Sequence, residues 1–300
     1  MSAKREIKLT LSILYHDPPS LAGMIIIGAF FLIVLVSYFD LSLLTPYNPD
    51  ALNFPARNLP PSLAHLFGTD FEGRDVFARS MAALPLDIFI PFVIVGVGVG
   101  IGFTLGLIAG YFGGWIEEIT LRVTDLFLAF PVVILALTIA AVLGQGDINL
   151  RIYYSMLALI VVSWPFYTRI ARAQVLQVRS LPYVTAAKTS GISSFRIIRR
   201  HILPQVSPVV IAYATLDMGA VIITYSVFAF FGLGAVPPTP ELGQMVYDGL
   251  SALPGNWWWS VFPGIILALL ALGFSLIGEG LRDAFDPRLR AQRTVVPLSE

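Results

Sequence analysis

The sequence predicts an all-α polytopic membrane protein. Apolar residues make up 56% of the 300 residues and charged residues 13%, and the mean hydropathy is +0.79, whereas soluble domains carry about 25% charged residues. Several apolar runs approach the roughly 20 residues that a helix needs to cross a bilayer. The ten-residue alternation typical of a membrane β-barrel is not evident, so helices are expected to satisfy the backbone in lipid.

Six segments are candidates for membrane-spanning helices. They cover residues 21–39, 88–112, 126–143, 152–167, 206–233 and 257–278. The fourth is short, and the fifth contains the ionisable residue Asp217. The rest of the chain then divides into a lead 1–20, an external segment 40–87, a five-helix core 88–280 that includes a polar loop 169–205, and a tail 281–300.

The distribution of basic residues predicts the orientation. With six spans, fourteen Lys and Arg residues fall in 1–20, 169–205 and 281–300 on one side, and four fall on the other. Cytoplasmic segments of membrane proteins carry such an excess. Both termini and the loop 169–205 are therefore predicted to be cytoplasmic, in a cell (inner) membrane that the chain crosses several times. The first apolar run lacks a cleavage site and is interpreted as a retained helix.

The connecting segments carry weaker signals. In the lead, Ile7, Leu11, Leu14 and Tyr15 fit an amphipathic helix in the membrane surface, and they also fit an extended strand. The external segment 40–87 is rich in Pro and Asn at first and is predicted to be ordered from His65 onward. The second external segment, 234–256, contains Pro237, Pro238, Pro240 and two acidic residues but no basic residue.

The second predicted span carries a stripe of glycines. Gly98, Gly102, Gly106 and Gly110 recur every four residues and so share one helix face. A face without side chains lets another backbone approach closely. Tight static packing is the expected use, and sliding of helices during a transport cycle is the alternative.

Ionisable residues at membrane depth are costly and are therefore functional candidates. The third span begins with Glu117, Glu118, Arg122 and Asp125, whose spacings predict pairs between Glu118 and Arg122 and between Arg122 and Asp125. Asp217 has no basic neighbour in the sequence. It either faces a wet cavity or accepts hydrogen bonds from another helix.

Catalytic and metal-binding patterns are not evident. The chain contains no cysteine and three scattered histidines, which argues against disulfides and His- or Cys-built metal centres. It has no phosphate-binding loop, no HExxH motif, and no Ser, His and Asp grouping in a suitable context. We expect no catalytic residue, no cofactor bound by this chain and no nucleic-acid partner; any energy from ATP must come from another chain.

The segment 182–205 is the most informative stretch. Its pattern predicts two short helices, hinged at Gly191 and ended by Pro204, that lie outside the bilayer. Small residues precede apolar anchors at 195, 197 and 198 and surrounding arginines, which is typical of a helix that docks in a partner's groove. The candidate docking residues are Ala186, Ala187, Lys188, Gly191, Phe195, Arg196, Arg199, Arg200, His201, Leu203 and Pro204. A basic loop that only sets topology or touches anionic membrane lipid is the alternative.

Five stretches resemble, in the same order, the motifs of one family. They are His65-Leu-Phe-Gly-Thr-Asp-Phe-Glu-Gly-Arg-Asp-Val76, Ala109-Gly-Tyr-Phe-Gly-Gly-Trp115 running to Ala129-Phe-Pro131, the segment 182–205, Phe231-Gly-Leu-Gly-Ala-Val-Pro-Pro-Thr-Pro240, and Gly278-Glu-Gly-Leu-Arg-Asp-Ala-Phe-Asp-Pro-Arg288. Over residues 65–288 the chain resembles a permease subunit of the dipeptide/oligopeptide (peptide/nickel) branch of ATP-binding cassette importers. The segment 182–205 is similar to the EAA loop of those permeases.

The resemblance implies a type I importer permease fold that forms half of a translocation path. It implies four kinds of partner: a second homologous permease subunit, two ATP-binding subunits that hold ATP and Mg²⁺, an extracytoplasmic substrate-binding protein, and membrane lipid. The loop departs from the family pattern, since Thr185 stands where the family has Glu, His201 where Ile is frequent and Gln205 where Asn is usual. Glu241-Leu242 replaces a polar-aromatic pair.

The resemblance leaves the substrate open among di- or oligopeptides, nickel and oligosaccharides, with peptides expected. Two other functions compete with an importer permease on the residues alone. A secondary transporter or channel would use Asp217 and the 117–125 cluster to couple ions, although paired broken helices are not evident. A membrane scaffold would leave the external motifs without a role.

Overall fold

The computed structural model describes residues 3–145 and 147–285, and these residues are predominantly helical. The α-helices are α1 Ala3–His16, α2 Pro18–Asp40, α3 Val76–Phe112, α4 Gly114–Leu128, α5 Val132–Leu143, α6 Arg151–Arg179, α7 Pro182–Thr189, α8 Ser194–Ile197, α9 Leu203–Phe230, α10 Leu242–Leu250 and α11 Trp258–Phe285. The all-α membrane fold predicted from composition is confirmed. The tail arginines at 288, 290 and 293 lie outside the described residues.

Five helical segments are long and apolar enough to cross a membrane: 18–43, α3, 148–179, 194–230 and α11. The pair α4 and α5 passes the same test only together and is bent by 83° between the two helices. A single straight third span over 126–143 is therefore wrong. Pro131 cannot donate a backbone hydrogen bond and disfavours helical geometry at Phe130, so the helix breaks there. Counted as one span, the bent pair completes the six predicted crossings.

Several helices extend well beyond the apolar runs that predicted them. α3 begins at Val76 rather than at residue 88, because the Asp75 carboxylate accepts a hydrogen bond from the Ala78 N–H at 2.7 Å and caps the helix. α6 continues to Arg179, twelve residues past the predicted end at 167. Hydropathy detects only the part of a helix that lies in lipid, so the polar extensions were missed.

The motif 65–76 forms an ordered loop that joins α3 to α11. His65 Nδ1 lies 2.8 Å from the capping carboxylate of Asp75. The carbonyl oxygen of Thr69 accepts hydrogen bonds from the indole N–H groups of Trp258 and Trp259, at 3.2 and 2.7 Å. The sequence prediction that the external segment is ordered from His65 onward is thus confirmed, and the loop is fastened to the start of α11.

The second external segment contains a helix that the sequence analysis missed. α10 packs against α9 and α11, and its Leu242 side chain is fully buried. Pro237, Pro238 and Pro240 suggested a loop, but they all precede the helix. The Glu241 carboxylate caps α10 by accepting hydrogen bonds from the N–H groups of Gly243 and Gln244, at 2.8 and 3.0 Å.

Both ends of the described chain lie on one face of the bundle. The lead forms the helix α1, as the amphipathic interpretation predicted, and not a strand. The side chains of Leu14 and Ser20 lie against Gly280 near the end of α11. The Arg282 guanidinium lies over the Tyr213 ring, 5.8 Å from its centroid, on the half of α9 that follows the loop 169–205. This loop therefore shares the face of the chain ends.

The glycine stripe of α3 packs directly on α6. A Cβ atom on Gly98, Gly102, Gly106 or Gly110 would lie under 3.0 Å from an atom of α6 in every case. At Gly102 the obstructing atoms include the backbone oxygen of Trp164, which cannot move aside as a flexible side chain can. The close backbone approach predicted from the spacing is present, and it is the most extensive helix contact in the protein.

Replacing Gly102 with Val is expected to force α3 and α6 apart and to destabilise the protein by about 1–3 kcal/mol, the usual cost of overpacking. The matched control is Gly100→Val on the same helix, because a Cβ at Gly100 has no neighbour within 4 Å. Unfolding temperature and the monodisperse fraction in detergent should fall for Gly102→Val and remain near wild type for Gly100→Val. Equal losses in the two variants would show that the cost does not come from the α3–α6 contact.

Candidate functional site

The polar segment after α6 folds into a helical hairpin, which we define as residues 182–202. Its first arm is α7, which begins with Pro182 at a position where a missing N–H is tolerated. Its second arm is α8 and a π-helical turn, Ile198–Ile202. Gly191 lies between the arms with φ of +76°, in the left-handed region that glycine adopts without strain. The predicted two-helix hairpin with its hinge at Gly191 is present.

The prediction that Pro204 ends the second arm is wrong. The arm runs through the π-helical turn into α9, so that 194–230 forms one helical segment of 37 residues. Within the turn, the Leu203 N–H donates to the Ile198 carbonyl five residues earlier. This wider turn accommodates the ring and the missing N–H of Pro204. The second arm of the hairpin is therefore a direct extension of a membrane-spanning helix.

One side of the hairpin packs inward. Val184, Ala187, Ile197 and Ile202 are buried against the end of α6, in a cluster that also includes Val175. The anchor predicted at Ile197 is thus unavailable to a partner, because the side chain is 0% exposed. Ala187 is likewise a packing residue and not a docking residue.

The other side of the hairpin presents an aromatic ring among cations. Phe195 is 73% exposed, which is high for an aromatic side chain. Together with Ser193, Arg196, Arg199 and Arg200, it lines a groove of about 490 Å³. Among the described residues, none of these three arginines forms an ion pair with an acidic side chain. The arrangement suits an apolar pocket rimmed by acidic groups on another protein.

The remaining predicted docking residues do not line this groove. Ala186, Lys188, Leu203 and Pro204 are exposed. His201 is half-buried, and its ring lies 5.9 Å from that of Tyr183 in the first arm. Thr185, which replaces the glutamate of the family pattern, is exposed, and its hydroxyl lies 3.4 Å from the Leu181 carbonyl oxygen of its own helix. Thr185 adds no charge to the surface.

Two arginines of α6 fix the base of the hairpin, and the sequence analysis did not assign either role. Arg179 Nη1 donates to the carbonyl oxygens of Gly110 and Tyr111 at the end of α3, at 2.9 and 3.0 Å. Arg172 Nε donates to the Glu117 carboxylate at 2.7 Å. The last carbonyl groups of every helix lack a hydrogen-bond partner within the helix, and a basic residue such as Arg179 can donate to them. This general need was the only signal of the role in the sequence.

The acidic cluster of α4 is paired across helices. Glu118 pairs with Arg122 at 2.9 Å as predicted. The predicted pair between Arg122 and Asp125 is wrong, because Asp125 pairs with Arg169 of α6. The Asp125–Arg169 and Glu117–Arg172 contacts join α4 to α6, whereas the Glu118–Arg122 pair lies within α4.

Asp217 accepts a hydrogen bond from the Tyr167 hydroxyl of α6. Of the two possibilities left by the sequence, the structure shows the acceptor of an interhelical bond. Within residues 3–145 and 147–285, no three His, Cys, Asp or Glu side chains form a group that could hold a metal ion.

Comparison with known proteins identifies the family. The model of the family described as "Binding-protein-dependent transport system inner membrane component" matches residues 102–291. The chain is 40% identical over 245 residues to the probable D,D-dipeptide transport system permease protein DdpC of Escherichia coli K12, covering 82% of this chain and 80% of that protein.

Two further relatives match over most of both chains. The dipeptide transport system permease protein DppC of Alkalihalophilus pseudofirmus is 38% identical over 91% of this chain and 86% of its own length. The nickel transport system permease protein NikC of Escherichia coli K12 is 34% identical over 89% of this chain and 93% of its own length. The chain belongs to the binding-protein-dependent transport system inner membrane components, the permease subunits of ATP-binding cassette importers.

Proposed function

We propose that the protein forms half of the translocation path of a peptide importer and that its hairpin docks on a separate ATPase subunit at the cytoplasmic face. The observation that supports this most is the exposed Phe195, set among unpaired arginines on an arm continuous with a spanning helix. An exposed aromatic anchor with a charged rim is the usual form of a docking site. A loop that only set topology would need positive charge but no such ring.

The mechanism follows from the connection between hairpin and bundle. When the ATPases close on ATP and Mg²⁺, they move the docked hairpins. Because 194–230 is one helical segment, displacement of the second arm tilts α9. The first arm and the α6 end share a packed cluster with Ile197, so α6 moves with it. Docking must differ between the two states of the bundle, since a partner shifts an equilibrium only by its differential affinity.

The proposed assembly contains a second homologous permease, two ATP-binding subunits and an extracytoplasmic binding protein. One hairpin per permease matches two ATPases. ATP and Mg²⁺ are held by the partner subunits, and this chain binds no cofactor and catalyses no reaction. We infer that both termini lie in the cytoplasm with the hairpin. This is supported by the face that α1, the end of α11 and the hairpin share, and by the basic residues that concentrate there.

Peptides are the proposed substrate class. The relatives include permeases named for D,D-dipeptide, dipeptide and glutathione transport. Nickel is the alternative substrate, because a nickel permease is similar over nearly as much of the chain. Oligosaccharides remain a substrate implied by the family resemblance alone. Mass spectrometry of the ligand that co-purifies with the cognate binding protein tests the assignment.

Replacing Gly191 with Val should uncouple ATP hydrolysis from uptake in the assembled importer. A β-branched residue with φ near +76° costs about 1–2 kcal/mol or more, so the hairpin changes shape. A Cβ there meets nothing within 4 Å, so the effect is one of backbone conformation and not of collision. Uptake into proteoliposomes is expected to fall roughly tenfold. Asparagine tolerates this backbone conformation, so the Gly191→Asn variant should retain most uptake. Uptake at the wild-type rate by the Gly191→Val variant would contradict the coupling role.

Replacing Phe195 with Ala should weaken ATPase docking without unfolding the permease. Loss of an aromatic anchor costs about 2 kcal/mol, or roughly thirtyfold in affinity. The matched variant Ile197→Ala removes a buried side chain two residues away and should instead lower the unfolding temperature. Co-purification of ATPase subunits and thermal unfolding separate the two effects. Full ATPase recovery with Phe195→Ala would rule out this side chain as the anchor.

The purified chain alone should hydrolyse no ATP, and hydrolysis should appear when the ATP-binding subunits are added. A phosphate-release assay on both preparations makes the comparison. Hydrolysis that persists in the pure chain and resists removal of contaminating ATPases would contradict the assignment of catalysis to the partners.

A further inference from the structure

Two carboxyl groups meet where α10 packs on α3, on the face of the bundle opposite the hairpin. Asp87 of α3 is 4% exposed, and Glu241, which caps α10, is 0% exposed. The two carboxyl groups share three consecutive N–H groups at the start of α10, since Asp87 accepts from Leu242 and Glu241 accepts from Gly243 and Gln244, and they therefore lie side by side. A hydrogen bond between two carboxyl groups requires a proton on one of them, because an ionised carboxylate only accepts.

The surrounding backbone favours a single negative charge on the pair. Glu241 accepts from two N–H groups, those of Gly243 and Gln244. Asp87 accepts from one, the N–H of Leu242 at 3.1 Å. Glu241 is thus the better stabilised carboxylate, and Asp87 is the better placed to carry the proton.

No cation of the described chain neutralises the pair. The nearest basic residues are committed elsewhere: Arg79 donates to Asp50 and to the Pro49 and Pro238 carbonyls, and Arg74 pairs with Asp70 and Glu72. On α10, Asp248 adds repulsion at Glu241. On α11, the ionisable residues Glu279, Arg282 and Asp283 lie at the far end of the helix. Two buried carboxylates without a cation cannot both ionise at low cost.

Tyr225 of α9 provides an independent observation at the same place. Its hydroxyl is buried and has no hydrogen-bond partner among the described residues, and the next residue of α9, Ser226, lies against Gly243 beside the Glu241 carboxylate. An unsatisfied buried hydroxyl is unfavourable and rare. Beside a carboxyl pair, it can donate to whichever oxygen becomes negative.

We propose that Asp87 and Glu241 form a binding site for one proton and that this proton holds α10 against α3. The Asp87 carboxyl donates its O–H to the Glu241 carboxylate. When the proton leaves to external water, two adjacent buried carboxylates remain, and their repulsion separates α10 from the bundle. The docking of this external helix then depends on the external pH, whichever substrate the importer carries.

The direction of the effect agrees with the environment of Glu241, which lies outside the spanning segments. Burial raises the pKa of Glu241 to about 7, from its ordinary value of 4.5. Between these values the folded protein binds more protons than the unfolded chain, so the protons stabilise the fold. This stabilisation is complete below pH 4.5 and is lost as the pH rises through 7. Release of the proton shared with Asp87 extends the loss to higher pH.

Cysteine labelling in membranes tests the site, because the chain contains no cysteine of its own. Met245 of α10 is 8% exposed and packs with Val76, Trp258 and Trp259. In the assembled importer, Met245→Cys should react with an impermeant maleimide faster as the external pH rises from about 6 to about 9.5, relative to an exposed Ser251→Cys reference. We expect the ratio to rise at least about threefold as the helix opens locally.

Variants of the pair distinguish this mechanism from a general pH effect. Glu241→Gln and Asp87→Asn each limit the pair to one negative charge, so neither variant can develop repulsion between two carboxylates, and either should reduce the rise of the labelling ratio by at least about half. Asp248→Asn removes a neighbouring acid outside the pair and should retain the pH response. A ratio that is constant with pH in the Met245→Cys protein, or one that rises as steeply in both pair variants as with the pair intact, would overturn the proposal. Two pair variants are used so that misfolding of one does not remove the test.

Discussion

The close contact between α3 and α6 positions the hairpin, the surface that we propose docks on an ATPase subunit. The first arm of the hairpin packs on the end of α6, and Arg179 of α6 binds the carbonyls at the end of α3. Both arrangements require the two helix axes to be close, and four glycines allow that. In lipid, burial of apolar side chains provides little driving force for helix association. Close packing of the two helix backbones therefore provides stabilisation that a hydrophobic core provides in a soluble protein.

Polar contacts between side chains also join α6 to its neighbouring helices. Arg169 and Arg172 of α6 pair with acidic groups of α4, and Tyr167 donates to Asp217 of α9. α6 therefore contacts α4 and α9 through charged or strongly polar groups, as well as α3 through glycines. The ionisable residues that first suggested ion coupling connect helices in the structure. Their pairing explains how costly groups are tolerated near the membrane.

Composition and periodicity predicted the membrane class, most of the spans, the glycine contact and the hinge at Gly191, because each depends on local sequence. Three features could not be obtained this way. The 83° break at Pro131 lies inside one apolar run, so hydropathy alone does not detect it. The burial of Ile197 depends on where α6 ends. The Asp87–Glu241 pair joins residues 154 positions apart, and neither residue is unusual in its own segment.

The π-helical turn at Ile198–Ile202 connects the hairpin to α9 without a break in the helix, so the two can move together as one lever. Since the helical path continues from the hairpin to Phe230, 37 residues act as one lever about 55 Å long. A rotation of about 5° at the hairpin end would displace the other end by about 5 Å, the length of one helical turn. That far end lies next to α10 and the capping carboxylate of Glu241. A small rotation of the hairpin is thereby enlarged at the opposite surface of the membrane without any contact that runs between the two sites.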